Sequence, residues 1–217
     1  MDFSAADEKR IQTAAEQLEA RTGVEVLAMV VGKSDHYPEL PWKAFGLGAS
    51  LAALAVTIRA VLDPPWFLPA DGALTALTVI AVGALAALLL PALPPLARRL
   101  VNRARLAGEV EQYARGVFLE RELFATGERR AVLLLVSLFE RQAVVLPDRG
   151  LHAALDAAAL ESVLAAMRAP LGRGDRANAL LSGLAALERT LLAAGLRGPA
   201  PADAIPDELA LDPGVEP

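Results

Sequence analysis

Asp148 is the residue in this chain best placed by type and context to do chemistry. It follows an apolar run, AVVL at 143–146, and leads through Arg149 and Gly150 into a helical stretch. Loops at strand ends beside helix N-termini are where α/β folds gather anions and ligands. Glu25 is its natural companion, an acid inside the otherwise apolar run VEVLAMVV at 24–31. If the strand before Asp148 runs antiparallel, its end returns to the start of the strand carrying Glu25. Two carboxylates on one rim would take a hard divalent cation, calcium or magnesium. The plainer alternative is that Asp148 caps the following helix, while Glu25 faces solvent or pairs with Arg129.

Other machineries find no residues. There is no Cys, so thiolate catalysis, thiolate metal sites and disulfides are excluded together. The two histidines, His36 and His152, are too few for a zinc centre without thiols. Neither lies in an Arg-His-Gly nucleophile, no Asp-x-Asp pair stands at a strand end, and no G-x-x-x-x-G-K-[ST] phosphate loop is present. His152 reads as a partly buried structural residue. Glu140 and Arg141 read as a solvated turn. A net charge of −5 disfavours a nucleic-acid partner.

The elements that hold these residues are interrupted by two apolar runs, 44–62 and 72–90. Each is about 19 residues, close to the hydrocarbon thickness of a bilayer when helical. The second has no charge, and the first has Arg59 near one end, where it can snorkel. The polar, proline-rich link DPPWFLPAD joins them, and Pro91, Pro94 and Pro95 stop the second. A chain of this length has too little other sequence to cover two helices that are apolar all round. A transmembrane hairpin is therefore predicted. Trp42 and Trp66 stand at its interfaces, and Lys43, Arg98, Arg99, Arg103 and Arg105 on its flanks. The positive-inside rule puts both termini in the cytoplasm and the link outside. The four arginines could also bind anionic headgroups. The opening MDFSAADEKR is polar and acidic, so no cleavable signal peptide is expected.

Around the hairpin the order is helix, strand, hairpin, helix, strand, turn, strand, helix, helix. Ser4 and Asp7 suit a helix start and Gly23 its end. Strands are predicted at 24–31, 131–139 and 143–146. Helices are predicted from Arg105 to about Phe124, at 151–167 and at 176–194. The three-residue link at 140–142 makes the second and third strands antiparallel. The first and second, if neighbours, should be parallel with a right-handed crossover. A single helix and strand cannot fold alone, so 1–40 and 98–197 are read as two parts of one domain, with the hairpin region at 41–97. The tail, 198–217, is acidic and proline-rich and is read as loose.

Two blocks resemble the TPM domain. One is ARTGVEVLAMVVGKSDHYPE, like that domain's opening strand. The other is FLERELFATGERRAVLLLVSLFERQAVVLPDRGLH, with Phe118, Thr126, Arg129, Val132, Leu133, Glu140, Arg141, Val144, Val145, Asp148, Gly150 and Leu151 in the family's order. The chain looks like the bacterial membrane branch, in which a two-span hairpin splits the domain after its first strand. The resemblance implies a small mixed-sheet α/β/α sandwich interrupted by a two-helix transmembrane hairpin. The missing catalytic set and the membrane anchor favour an interaction or assembly module for a membrane complex, and the resemblance implies the alternative, a weak metal-dependent phosphohydrolase using Asp148 and Glu25. Acid-phosphatase activity and divalent-metal binding are attributed to some relatives, and one plastid group is linked to photosystem II repair. The C-terminal pattern departs from the family at 195–199 and at Asp207, Glu208 and Leu209.

Overall fold

The computed structural model describes residues 3–63, 69–198 and 209–215. Trp66, Asp207 and Glu208 lie outside them. The chain separates into two compact units, Met1–Asp35 with Leu106–Pro217, and His36–Arg105.

The first unit is an α/β sandwich. Helix α1 (Ala5–Thr22) starts at Ser4, whose hydroxyl accepts the Asp7 N–H and donates to the Asp7 carboxylate, a reciprocal cap. It ends at Gly23, where φ is 68°, a left-handed turn that costs glycine little. Strand β1 (Glu25–Val31) is buried at all seven positions. It pairs in parallel with β2 (Ala131–Ser137), which pairs antiparallel with β3 (Gln142–Pro147). Both senses match the sequence expectation. The sheet order is β3-β2-β1-β4.

Strand β4 (Ala210–Asp212) is a correction. This part of the tail is not loose: it pairs in parallel with Met29, Val30 and Val31 and closes the free side of β1. The helices also shift. Helix α5 (Arg103–Glu120) stops four residues early and is followed by a 3-10 turn at Leu123–Ala125. The helix expected at 151 is a 3-10 turn, Arg149–Leu151, then α6 (Ala157–Gly172) begins anew, capped by the Asp156 side chain. Helix α7 (Arg176–Ala193) is capped by Asp175.

Side-chain alternation divides the core. Val26, Ala28, Val30, Val132, Leu134 and Val136 face α1, α6 and α7. Leu27, Met29, Val31, Leu133 and Leu135 face α5, with its Val110, Ala114 and Val117. Fully buried strands between two helical layers need near-continuous apolar sequence, as β1 and β2 have.

The second unit holds α2 (Glu39–Leu62), α3 (Pro69–Leu89) and α4 (Pro94–Leu100). At 1.5 Å per residue α2 and α3 run roughly 36 and 32 Å, long and apolar enough to cross a membrane. Ala44, Gly48 and Ala52, spaced by four, form the buried stripe of α2. A Cβ on Gly48 would lie 2.6 Å from the Ala86 Cβ, and one on Gly83 2.8 Å from Phe45 Cε2. Small residues thus let the two helices approach closely. Their large side chains point outward: Leu51, Ile58, Leu74 and Ile80 are each at least half exposed, and Leu62 and Leu88 about three-quarters or more. These helices do not form the core of a soluble fold.

The flank residues cluster within this unit. Glu39 pairs with Arg105 at 3.2 Å and with Lys43 at 3.9 Å, and the Lys43 ammonium donates to the Leu100 carbonyl at 3.1 Å. Arg98 and Arg99 end α4, and Arg103 opens α5. Trp42 is 77% exposed, and Arg59 is exposed in the last turn of α2.

Candidate functional site

The loop before β2 is built to receive Asp148. Thr126 accepts the Arg130 N–H on its hydroxyl and the Arg129 N–H on its carbonyl. This turns Arg129 into the left-handed region, φ 55°. The Arg129 guanidinium then meets the Asp148 carboxylate in a two-point pair, Nε–Oδ2 2.8 Å and Nη2–Oδ1 2.9 Å. It also lies 5.7 Å from the Phe124 ring centre. Gly150 is obligatory here, since a Cβ would come within 2.5 Å of the Glu128 carbonyl and 2.6 Å of the Arg129 carbonyl. Asp148 is nearly buried, and its Oδ1 also accepts the Arg149 N–H at 2.6 Å. Burial alone would raise its pKa. The Arg129 hydrogen bonds, the Arg149 N–H and nearby positive charge outweigh that and hold it below the usual carboxylate range.

Glu25 sits at the same end of the sheet, paired in register with Ala131, whose carbonyl accepts the Asp148 N–H at 2.8 Å. Two strand spacings, roughly 9–10 Å, therefore separate the two backbones. The capping role of Asp148 is present. Glu25, though, does not face solvent: it is 4% exposed, and Arg129 is taken by Asp148 instead. To bind a cation, Asp148 would have to release Arg129. His152 is exposed, not partly buried, in the turn that follows.

The opposite end of the sheet holds groups that the sequence reading missed. Glu140 is buried, not solvated. One oxygen accepts the Ser34 N–H at 2.9 Å and the other accepts the Ser137 hydroxyl. Beside it, Tyr113 on α5 donates to Asp212 of β4 at 2.8 Å. Burial first, then the Asp212 bond and charge, raise the Tyr113 pKa so that it stays protonated. A cavity of about 220 Å³ opens here, at the carboxyl end of β1, lined by Ser34, Asp35, Glu109, Tyr113 and Glu120. Its acidic lining suits cationic groups. The available signal was the 109, 113, 116, 120 spacing on one face of α5, next to Ser34-Asp35 just beyond a strand.

The depressed Asp148 pKa sets a pH dependence. Its stabilising contribution is full above the unfolded carboxylate pKa of about 3.9 and is lost as pH falls through the folded value. Asp148→Asn is expected to cost about 2 kcal/mol at pH 7 in urea denaturation, from the lost charged hydrogen bonds and cap. It should also flatten the fall in stability below about pH 5. An unchanged slope would remove Asp148 from that role.

A family model described as TPM domain matches residues 99–190. That range runs from the end of α4 to near the end of α7 and includes the Arg129–Asp148 pair. Among solved structures, the NMR structure of BA42 protein from the psychrophilic bacterium Bizionia argentinensis matches with a TM-score of 0.58 and 13% identity. The match covers 97% of this chain and 96% of that one, and it shows a shared fold. No curated protein matches the chain.

Proposed function

We propose that this chain, whose residues 99–190 match the TPM domain, is a membrane-anchored interaction module holding or helping to assemble a membrane protein complex. The observation that carries this reading is the exposed apolar surface of α2 and α3 within a chain whose other unit is a complete α/β sandwich. Such helices need lipid around them. The anchor enters the chain after β1 and leaves it before β2, so the domain is held at the bilayer through both of its parts. The arginines at 98, 99, 103 and 105 favour the cell membrane with both termini in the cytoplasm.

Expression with a tag at each terminus tests both claims. Both tags should resist external protease in intact cells, and cleavage of either would overturn the topology. Mild-detergent purification of the full chain should retain a defined membrane protein in near-stoichiometric amount. The weak phosphohydrolase with a cation at Glu25 and Asp148 predicts the opposite pattern. The chain would purify alone and hydrolyse a chromogenic phosphate ester, and Asp148→Ala would abolish turnover with the fold intact.

A further inference from the structure

Strand β3 ends the sheet, and the register says which of its groups are free. Asp148 donates its N–H to Ala131, so that pair is hydrogen-bonded. Bonded and non-bonded pairs alternate along an antiparallel ladder. Leu146–Leu133, Val144–Leu135 and Gln142–Ser137 are therefore bonded pairs, and Ala143, Val145 and Pro147 turn their backbone groups away from β2. Pro147, which has no N–H, falls at an outward position, as a proline in a ladder must. Ala143 and Val145 thus present two N–H and two carbonyl groups along the edge. Among the described residues β3 pairs with β2 alone.

This edge is not blunted by charge along its length. It lies in a groove of about 480 Å³ walled by Leu155, Leu160 and Leu164 on one side and Ala107 and Glu111 on the other. Glu111 is neutralised by Arg115 on its own helix. The groove continues past Gln142 and Ala143 into a second hollow lined by Arg141 and Arg168. Arg168 pairs with Glu161, whereas the Arg141 guanidinium has no ion-pair partner among the described residues. In a chain of net charge −5 this end of the groove is locally basic.

We propose that the β3 edge is the docking site of the interaction module, taking an extended apolar segment of a partner protein that carries a carboxylate beside Arg141. The inference rests on the interaction reading and names its surface. Added strands gain affinity from main-chain hydrogen bonds and specificity from flanking pockets. A second copy fits less well. Two-fold pairing of β3 about the outward-facing Val145 would set Ala143 opposite Pro147, which has no N–H, and Arg141 of one copy opposite Arg149 of the other at both ends, and like charges across strands are unfavourable.

The test uses the full chain in lipid nanodiscs and a fluorescein-labelled eight-residue peptide of alternating Val and Thr with Glu at both ends. Anisotropy should show saturable binding. Ala143→Pro removes an outward N–H and no ladder bond, and it should weaken binding at least tenfold. Arg141→Glu, at an exposed turn, leaves the strand untouched. It should weaken the Glu-ended peptide at least fivefold and favour a Lys-ended one. Absence of saturable binding, or indifference to both substitutions, overturns the proposal. So does a wild-type dimer that Ala143→Pro disperses, which would assign the edge to a second copy. If a membrane partner still co-purifies with Ala143→Pro, this surface is wrong while the interaction reading stands. Peptide binding by a chain that retains no partner would separate the two the other way.

Discussion

With residues 36–105 replaced by a flexible linker of about eight residues, the protein is expected to leave the detergent phase and unfold in water as one cooperative unit. All four strands and both core layers come from residues outside that segment. Asp35 and Glu109 line one cavity, so the ends to be joined lie close, and a linker of this length reaches roughly 16 Å. The exposed leucines and isoleucines of α2 and α3 go with the deleted segment. The companion fragment, residue 101 onward, should not fold. It lacks β1, the strand bonded to both β2 and β4, and loses Ile11, Leu18, Val26 and Val30 from the core. Phase partitioning and circular-dichroism melting decide both. A fragment that melts as cooperatively as the linked protein would refute the two-part domain.

The second large effect is expected at Glu140. Glu140→Ala should lower the unfolding free energy by about 3 kcal/mol, because the buried Ser34 N–H and Ser137 hydroxyl lose their acceptor together. Glu140→Gln keeps one oxygen acceptor and should cost less than half as much. The carboxylate ties the segment leaving β1 to the turn between β2 and β3, where Leu138 and Phe139 donate to Val31 and Gly32. Hydrogen exchange in Ala should therefore accelerate first at residues 32–34 and 138–140. Equal stabilities for Ala and Gln would show that the acceptor pair contributes nothing.

The parts legible in the sequence were those with a local physical signature. The hairpin follows from two long apolar runs that carry one charge, Arg59, between them, the sense of β2 and β3 from a short link, and the end of α1 from Gly23. Asp148 as a cap followed from its place before a glycine and a helical run. What escaped depended on contacts distant in sequence. Ala210–Asp212 is three residues with no alternation, and it becomes a strand only because β1 offers it an edge. Glu140 reads as solvent-facing in a Glu-Arg-Gln turn, and Ser34, 106 positions earlier, makes it a buried acceptor. Arg129 is open to Glu25 as one alternative in the sequence, and the two-point geometry belongs to Asp148.

The pairing of β1 carries a consequence for synthesis. This strand is made early, yet its partner residue for Glu25 is Ala131, 106 positions later, and its other edge waits for residues 210–212. At about 5–20 residues per second, a ribosome needs on the order of 5–20 seconds to supply the first of these partners. During that interval a strand apolar at every position but Glu25 is unprotected, while both hydrophobic helices have already emerged. On the proposed membrane anchoring, these helices would therefore meet the bilayer before the domain can close. Any factor that guards the nascent chain must hold residues 25–31 during insertion and release them only after β2 is made.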